Sequence, residues 1–334
     1  IVDNQITIIG GRNIADEYFG AKGDVNFGDV DVLAVGPVVQ DVSGMFDTYW
    51  NHESAAAIPA FAKMPKDPDA ALDNLRLRID EEMVKIRDTQ YAEAVVEDYE
   101  TYLQATMDIF IWADYKLAWD SPDKVYKKVA REGELRTITS DLRAAIEGAQ
   151  EELVIISPYF VPRKRGVDYL RSLRNQGLDI TIITNSLSAT NHTIVHSGYA
   201  PSRKPLLEMG VKIREVRFDA GLDGIQRGGT GAELATLHTK AFVVDCAQLF
   251  VGSFNWDPRS LNINTESGVI IDSPIMGGGV CERLDEALDE KTFEVTLNEK
   301  GKLRWVDRSG DEPLILKKEP DTGWWTRLKV NFQK

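Results

Sequence analysis

Cysteine is nearly missing from this chain: Cys246 and Cys281 are the only two in 334 residues. They are too few and too far apart to suggest a disulfide scaffold or a zinc site, both of which need clustered ligands. Unpaired thiols in a reducing compartment are the expectation. Basic charge is also short, with 39 Lys and Arg against 53 Asp and Glu, a formal net charge of −14 and a pI near 4.9. That argues against broad nucleic-acid binding, because a phosphate backbone demands a basic footprint. No run approaches the roughly 18 apolar residues of a membrane span, and no charged segment followed by an apolar stretch opens the chain. A soluble or peripheral protein is expected. Methionine is missing from position 1; the chain opens in the strand-like Ile1-Val2-Asp3 and reads as a fragment.

What is present is the composition of a folded protein, 43% hydrophobic and 28% charged, long enough for two units of roughly 100 to 200 residues. The β-branched Gln5 to Gly10 and the run Val30 to Val39 read as buried strands. From Ala70 to Trp119 the apolar positions keep a helical period without glycine, which predicts one or two long amphipathic helices that serve as packing elements. Beyond Ser121-Pro122 helices and strands alternate: a helix at Asp141 to Ala149, a strand at Leu153 to Ile156 and a helix at Val167 to Arg174. A strand at Ile180 to Ile183, a helix at Arg203 to Met209 and a strand at Val211 to Val216 follow. Glycines stand at the helix ends, and the pattern predicts an α/β layered domain. Asp219 to Ala235, rich in glycine and without period, reads as a loop.

After that loop comes Leu237-His238-Thr239-Lys240-Ala241-Phe242-Val243-Val244-Asp245. Read as a strand, it points His238 and Lys240 to one face. Turn residues at 245–248 and a returning strand at 249–251 form a hairpin that carries Ser253 and Asn255 toward the imidazole and the ammonium. Written as spacing, this is H-x-K-x4-D-x6-G-S-x-N. The start of the chain repeats its tail, since Asp3 is followed after six residues by Gly10-Gly11-Arg12-Asn13. The match extends further: Asp29 lies eight residues before Pro37, and Glu266 eight before Pro274. An isolated H-x-K on a strand is most often an exposed polar edge. An internal duplication of this length outweighs that reading.

At these residues the chain resembles the phospholipase D superfamily, whose signature is an HxKxxxxD motif in each of two halves that join in one active site. His238, Lys240 and Asp245 match the second motif, and Gly252, Ser253 and Asn255 its extension. Of the first copy, Asp3, Gly10, Gly11 and Asn13 are present; its His and Lys would stand seven and five residues before Asp3. Further stretches resemble the bacterial cardiolipin synthase branch: 32–39, 156–162, Asn185-Ser186-Leu187, 195–199, Asn255 to Ser260 and Asn264-Thr265-Glu266. The resemblance implies an α/β/α sandwich of two similar halves related by a pseudo-two-fold. It divides the chain into 1–125, the remainder of a first half plus connecting helices, and 126–334, a second half with a C-terminal tail.

Such a site cleaves a phosphodiester in two steps. One imidazole attacks phosphorus, a second protonates the leaving alkoxide, and an alcohol or water displaces the phosphohistidine. Lys240, Asn13, Asn255 and Ser253 would neutralise the phosphate oxygens, while Asp29 and Glu266 would orient the imidazoles. Asp3 and Asp245 complete the catalytic set. The resemblance places Gly11, Gly252, Tyr159, His196, Tyr199 and Arg259 around the substrate. No cofactor is expected. His192 and His196 stand at a zinc-compatible spacing but lack a third ligand, so no metal is expected either.

The implied activity is phosphatidyl transfer from a phosphatidylglycerol-like lipid to an alcohol, by an enzyme peripheral to the cytoplasmic face of a bacterial inner membrane. This chain alone is expected to be inactive. Two alternatives stand beside it: a phospholipase or nuclease that uses water, and a non-catalytic lipid-binding fragment. The partners expected are phospholipid and a membrane surface, with no nucleic acid. The aromatic and cationic Gly323 to Val330 has the composition of a membrane contact, but reads first as a docked tail with its tryptophans inward.

Overall fold

The computed structural model describes residues 1–19, 26–87, 110–126, 135–218 and 235–333. Its strands are β1 (Ile6–Gly10), β2 (Asn26–Gly28), β3 (Asp31–Val35), β4 (Asp114–Trp119), β5 (Glu152–Ile156), β6 (Asp179–Asn185) and β7 (Lys212–Val216). They continue with β8 (Ala235–Leu237), β9 (Ala241–Val244), β10 (Gln248–Gly252), β11 (Ser267–Asp272), β12 (Thr292–Leu297), β13 (Leu303–Asp307) and β14 (Leu314–Leu316). The α-helices are α1 (Pro37–Trp50), α2 (Pro68–Arg87), α3 (Ile138–Glu147), α4 (Arg163–Asn175) and α5 (Thr193–Tyr199). After them come α6 (Arg203–Glu208), α7 (Pro258–Asn262), α8 (Pro274–Lys291) and α9 (Trp324–Gln333).

Ten strands form one sheet in the order β14-β13-β12-β7-β6-β5-β9-β10-β11-β4. Its centre, β5-β6-β7, is parallel, because helices connect these strands across one face. Strand alternation divides the side chains. Leu153 and Ile155 of β5 join Leu170, Ile180, Phe242 and Phe250 in one buried cluster, and Val154 and Ile156 join Ile183, Val243 and Val251 on the opposite face. Each such burial stabilises by about 1.5–3 kcal/mol. A third cluster packs Val38, Val39 and Val42 of α1 over Ile9, Leu117, Val269 and Ile271.

The two copies of the repeat fold alike. In the second, β9 turns through Asp245 and Cys246 into β10, which pairs antiparallel with β11 so that Gly252 faces Gly268. In the first, Val2 bridges Ile6 across Asp3 and Asn4, and β1 pairs antiparallel with β3 so that Gly10 faces Asp31. The central turn residues have φ of 49° and 53° in one copy and 50° and 46° in the other. Left-handed backbone at both positions matches the twist of the flanking strands; Asp3, Asn4 and Asp245 are of the types that tolerate it, while Cys246 is not. Each copy then enters a helix with proline in its first turn, Pro37 in α1 and Pro274 in α8.

Several expectations are corrected. The run Val30 to Val39 is strand only to Val35: Gly36 takes φ of 87° and Pro37 starts α1, so Val38 and Val39 reach the core from a helix. The helical reading of Ala70 to Trp119 holds for α2, but Asp114 to Trp119 is the edge strand β4, paired antiparallel with β11. Its residues 88–109 lie outside the described residues, as does 219–234 of the loop. Cys246 and Cys281 are not free thiols: they form a disulfide, with Cα atoms 5.9 Å apart. Sequence distance misled, because α8 packs directly under the β9-β10 turn. There Gly277 has no side chain to collide with the Cys246 carbonyl oxygen, 2.6 Å from where its Cβ would stand. The inference of a reducing compartment loses its basis.

Candidate active site

His238 sits where the two copies meet. β2 of the first copy runs parallel to β8, Gly28 beside Leu237. The Gly28 carbonyl accepts from the amides of His238 (2.7 Å) and Thr239 (3.0 Å). From the other side the Asn185 amide brackets Leu237, donating to its carbonyl (2.9 Å) and accepting from its N–H (3.1 Å). The expected continuous strand is therefore broken. Residues 238–240 lie between β8 and β9, with their backbone held by neighbours.

One residue after Gly28, the buried carboxylate of Asp29 lies 2.6 Å from His238 Nδ1. Gly11 admits it: a Cβ there would stand 3.0 and 3.1 Å from the two Asp29 carboxylate oxygens and 3.1 Å from the Gly252 carbonyl. Lys240 Nζ approaches both ring nitrogens, Nδ1 at 2.8 Å and Nε2 at 3.1 Å, and donates to the His238 carbonyl. Nδ1 cannot donate to a carboxylate and accept from an ammonium at once. The shorter contact to an anion decides for Asp29, which leaves Nε2 to accept from Lys240 and to react. Burial brings the buried Lys240 ammonium down from 10.5 to about 8, against the opposing pull of Asp29, Glu266 and Asp31.

Tyr18, Phe27 and Tyr159 enclose the imidazole. The Tyr18 hydroxyl lies 3.4 Å from Nε2, the Phe27 ring stacks at 5.6 Å between centroids, and the Tyr159 ring stands edge-on at 6.5 Å. Burial raises the Tyr18 hydroxyl, and the charges of Tyr159 and Asp29 add to the effect. Arg12 holds this cover. Its Nε donates to Asp31 at 2.6 Å, its Nη1 to the Tyr18 carbonyl, and its Nη2 to the Asp29 carbonyl at 3.3 Å. Sequence reasoning passed over Tyr18, Phe27 and Arg12. Arg12 could have been noticed as the residue before the asparagine shared by Gly10-Gly11-Arg12-Asn13 and Gly252-Ser253-Phe254-Asn255, whereas nothing in the local pattern marks the other two.

Glu266, the counterpart of Asp29, is buried and receives hydroxyl donors on both oxygens, Ser253 at 2.5 Å and Ser260 at 2.6 Å. Its backbone N–H donates to the carboxylate of Asp120 (2.9 Å), which is paired inside the protein with Lys124 at 2.5 Å. Asn255 is buried, and among the described residues its Oδ1 has no hydrogen-bond partner.

The remaining expected residues make other contacts. The Asp245 carboxylate accepts from the backbone N–H groups of Gln150, Glu151 and Glu152 at 2.8–2.9 Å, which ties the β9-β10 turn to the start of β5 rather than to the imidazole. Burial raises its carboxyl, but those three donors hold it below its ordinary value. Asp3, its counterpart, is an exposed turn residue. Asn13 is exposed and its Oδ1 accepts from Ile14 N, while its side chain also hydrogen-bonds Tyr18 at the edge of the site. Arg259 is exposed on α7.

His196 and Tyr199 are buried in a separate network. Arg203 donates to Glu215 (2.7 Å) and Glu319 (2.8 Å), and its Nη2 lies 2.8 Å from His196 Nε2. Tyr199 and Trp305 donate to Glu215. They fill the interior because Glu215 and Arg203 must find charge partners there.

Residues 142–291 match the family described as "Cardiolipin synthase, PLD-like domain". Cardiolipin synthase C of Escherichia coli is 34% identical over 342 residues, covering 99% of this chain and 69% of that relative. The chain belongs to the phospholipase D superfamily, in its cardiolipin synthase-like branch. Cardiolipin synthase 2 of Staphylococcus epidermidis is 24% identical over 86% of the chain and 45% of that relative. The phosphatidylserine synthase structure from Haemophilus influenzae superposes with a TM-score of 0.56 at 13% identity, over 88% of this chain and 61% of that one, and shares the fold. The phospholipase D-like chain thus spans about two thirds or less of the length of these relatives.

Proposed function

We propose that this chain supplies one half of the active site of a phosphatidyltransferase of cardiolipin synthase type. The observation that carries the reading is the pair between Asp29 of the first copy and His238 of the second, 2.6 Å apart, with Lys240 beside the ring. Asp29 fixes the tautomer, so Nε2 faces the substrate as acceptor or, once protonated, as donor. Lys240 would neutralise the non-bridging phosphate oxygens, and the amide nitrogens of Asn255 and Asn13 would donate hydrogen bonds to them. Glu266 stands in the repeat where Asp29 stands in the first copy, and would orient the imidazole of the first motif.

In this scheme the first-motif imidazole attacks the phosphorus and forms a phosphohistidine. His238 passes its Nε2 proton to the leaving alkoxide, then takes a proton from the incoming alcohol as it displaces the histidine. The acceptor is a glycerol-containing lipid, and the product cardiolipin or a relative. The test is the complete protein with labelled phosphatidylglycerol, alongside the variant His238→Asn. Phosphatidyl transfer should fall by several orders of magnitude in the variant with folding retained, and a trapped phosphohistidine should map outside His238. Undiminished transfer by His238→Asn would overturn the scheme, and hydrolysis without transfer would replace it with a phospholipase.

A further inference from the structure

The C-terminal helix α9 faces the opposite way from the docked tail that its sequence suggests. Trp324, Trp325 and Phe332 are 57%, 67% and 84% exposed, and Leu328 is exposed beside them. At about 100° per residue these four positions fall within one arc of roughly 100°. Val330, on the opposite side, is 1% exposed where the helix packs on α5. The two indole rings stack on each other at 3.8 Å between centroids.

The orientation is fixed by the turn that precedes the helix. Arg327 Nη1 donates to the Thr322 carbonyl, to Thr322 Oγ1 (3.1 Å) and to the Glu319 carbonyl (3.5 Å), which closes the preceding turn onto the helix. Glu319 in turn is held by Arg203 at 2.8 Å, with His196 Nε2 at 3.1 Å. The apolar face is therefore presented outward by a buried network rather than left over at a loose end.

Charge points the same way. Residues 313–334 carry five basic and two acidic side chains, in a chain whose formal net charge is −14. Lys329 is exposed at the margin of the aromatic face, and Lys317 and Lys318 are exposed on the approach to it. Tryptophan and phenylalanine flanked by lysine is the composition that settles at the headgroup level of a bilayer. The helix also reaches toward the candidate site. It packs on α5, whose preceding residue His192 lies 5.7 Å, ring to ring, from Tyr159, and the Tyr159 ring lies 6.5 Å from that of His238.

We propose that α9 lies flat on an anionic phospholipid bilayer, with Trp324, Trp325, Leu328 and Phe332 among the acyl chains and the neighbouring lysines at the headgroups, and so holds the mouth of the site against its lipid. The proposal rests on the reading of that site as one that draws its substrate from a bilayer. The test uses the complete protein and vesicles of phosphatidylcholine with and without phosphatidylglycerol. The parent should sediment with the anionic vesicles and lose tryptophan emission to brominated lipid. Trp324→Ser/Trp325→Ser/Phe332→Ser should partition at least about tenfold less. It should lose activity on vesicles yet keep it in detergent-mixed micelles.

Ile58→Ser/Phe61→Ser alters another exposed apolar pair, 75% and 80% exposed, and should partition like the parent. Equal partitioning of parent and triple variant would overturn the proposal. So would a triple variant whose only change is dissociation of an oligomer. A parent that binds vesicles through α9 but transfers no phosphatidyl group in micelles would sink the enzymatic reading alone.

Discussion

Lys240 makes the pH dependence of the reaction a direct probe of the site. Its ammonium is buried beside His238, with Asp29, Glu266 and Asp31 as the nearby anions, and burial brings it from 10.5 to about 8. At about 1.4 kcal/mol per pH unit, the protein gives up about 3 kcal/mol to hold that cation in the unliganded site. A phosphodiester in contact with it would offset much of this. The alkaline limb of kcat/KM, which reports the free enzyme, should therefore fall near pH 8, while the limb of kcat, which reports the complex, should lie higher.

Stability has its own sign. Between pH 8 and 10.5 the unfolded chain binds the proton that the folded one has lost, so this group makes the fold more stable as pH rises through that window. Lys240→Met should accordingly unfold at a higher temperature than the parent below pH 8, by up to about 3 kcal/mol less any packing loss, and the advantage should vanish toward pH 10.5. The assays are initial rates in mixed micelles and calorimetry on the complete protein. A flat kcat/KM profile from pH 7 to 10, together with no stability gain in Lys240→Met, would refute the reasoning.

Gly11→Ala should lower phosphatidyl transfer by about 10- to 100-fold with little change in melting temperature, because its Cβ would press the carboxylate that orients His238; rates and melting curves on one preparation check this. Reduction of Cys246–Cys281, which lie 35 residues apart, should cost about 4 kcal/mol by loop entropy, read as a fall in denaturation midpoint with dithiothreitol. Burial raises the Glu319 carboxyl, but His196 and Arg203 overcome it and hold it at about 2 rather than 4.5. The resulting stabilisation, about 3 kcal/mol, is present above pH 4.5 and lost as pH falls toward 2. Glu319→Gln should therefore melt earlier than the parent at neutral pH and converge with it in acid.

The parts of this molecule governed by short-range pattern were legible. Short apolar runs alternating with helical stretches that end in glycine marked most of the strands and helices from 141 to 216, and the spacing of Asp3, Gly10 and Asn13 against Asp245, Gly252 and Asn255 revealed a repeat that recurs in the turn geometry itself. What escaped depends on distant packing. Asp114 to Trp119 carries enough apolar residues to satisfy a helical period, and only the open edge of β11 makes it a strand. The cysteines looked separate because nothing local says that α8 returns beneath residue 246. Asp245 belongs to the motif by spacing, but its carboxylate serves three backbone amides. Tyr18 and Phe27 reach His238 across more than 200 positions, a distance at which no periodicity speaks.

The bond between Asp29 and His238 has a consequence for how such a chain changes over time. One copy of the repeat holds the carboxylate and the other the imidazole, so neither can drift on its own. A substitution at Gly11, Arg12 or Asp29 is felt at a histidine more than 200 residues away. A change that moves one half must be matched by the other if the pair is to keep its 2.6 Å contact. The two halves touch at Gly11 and Gly252, where a Cβ on the one would stand 3.1 Å from the carbonyl of the other, so the constraint is tightest at that seam.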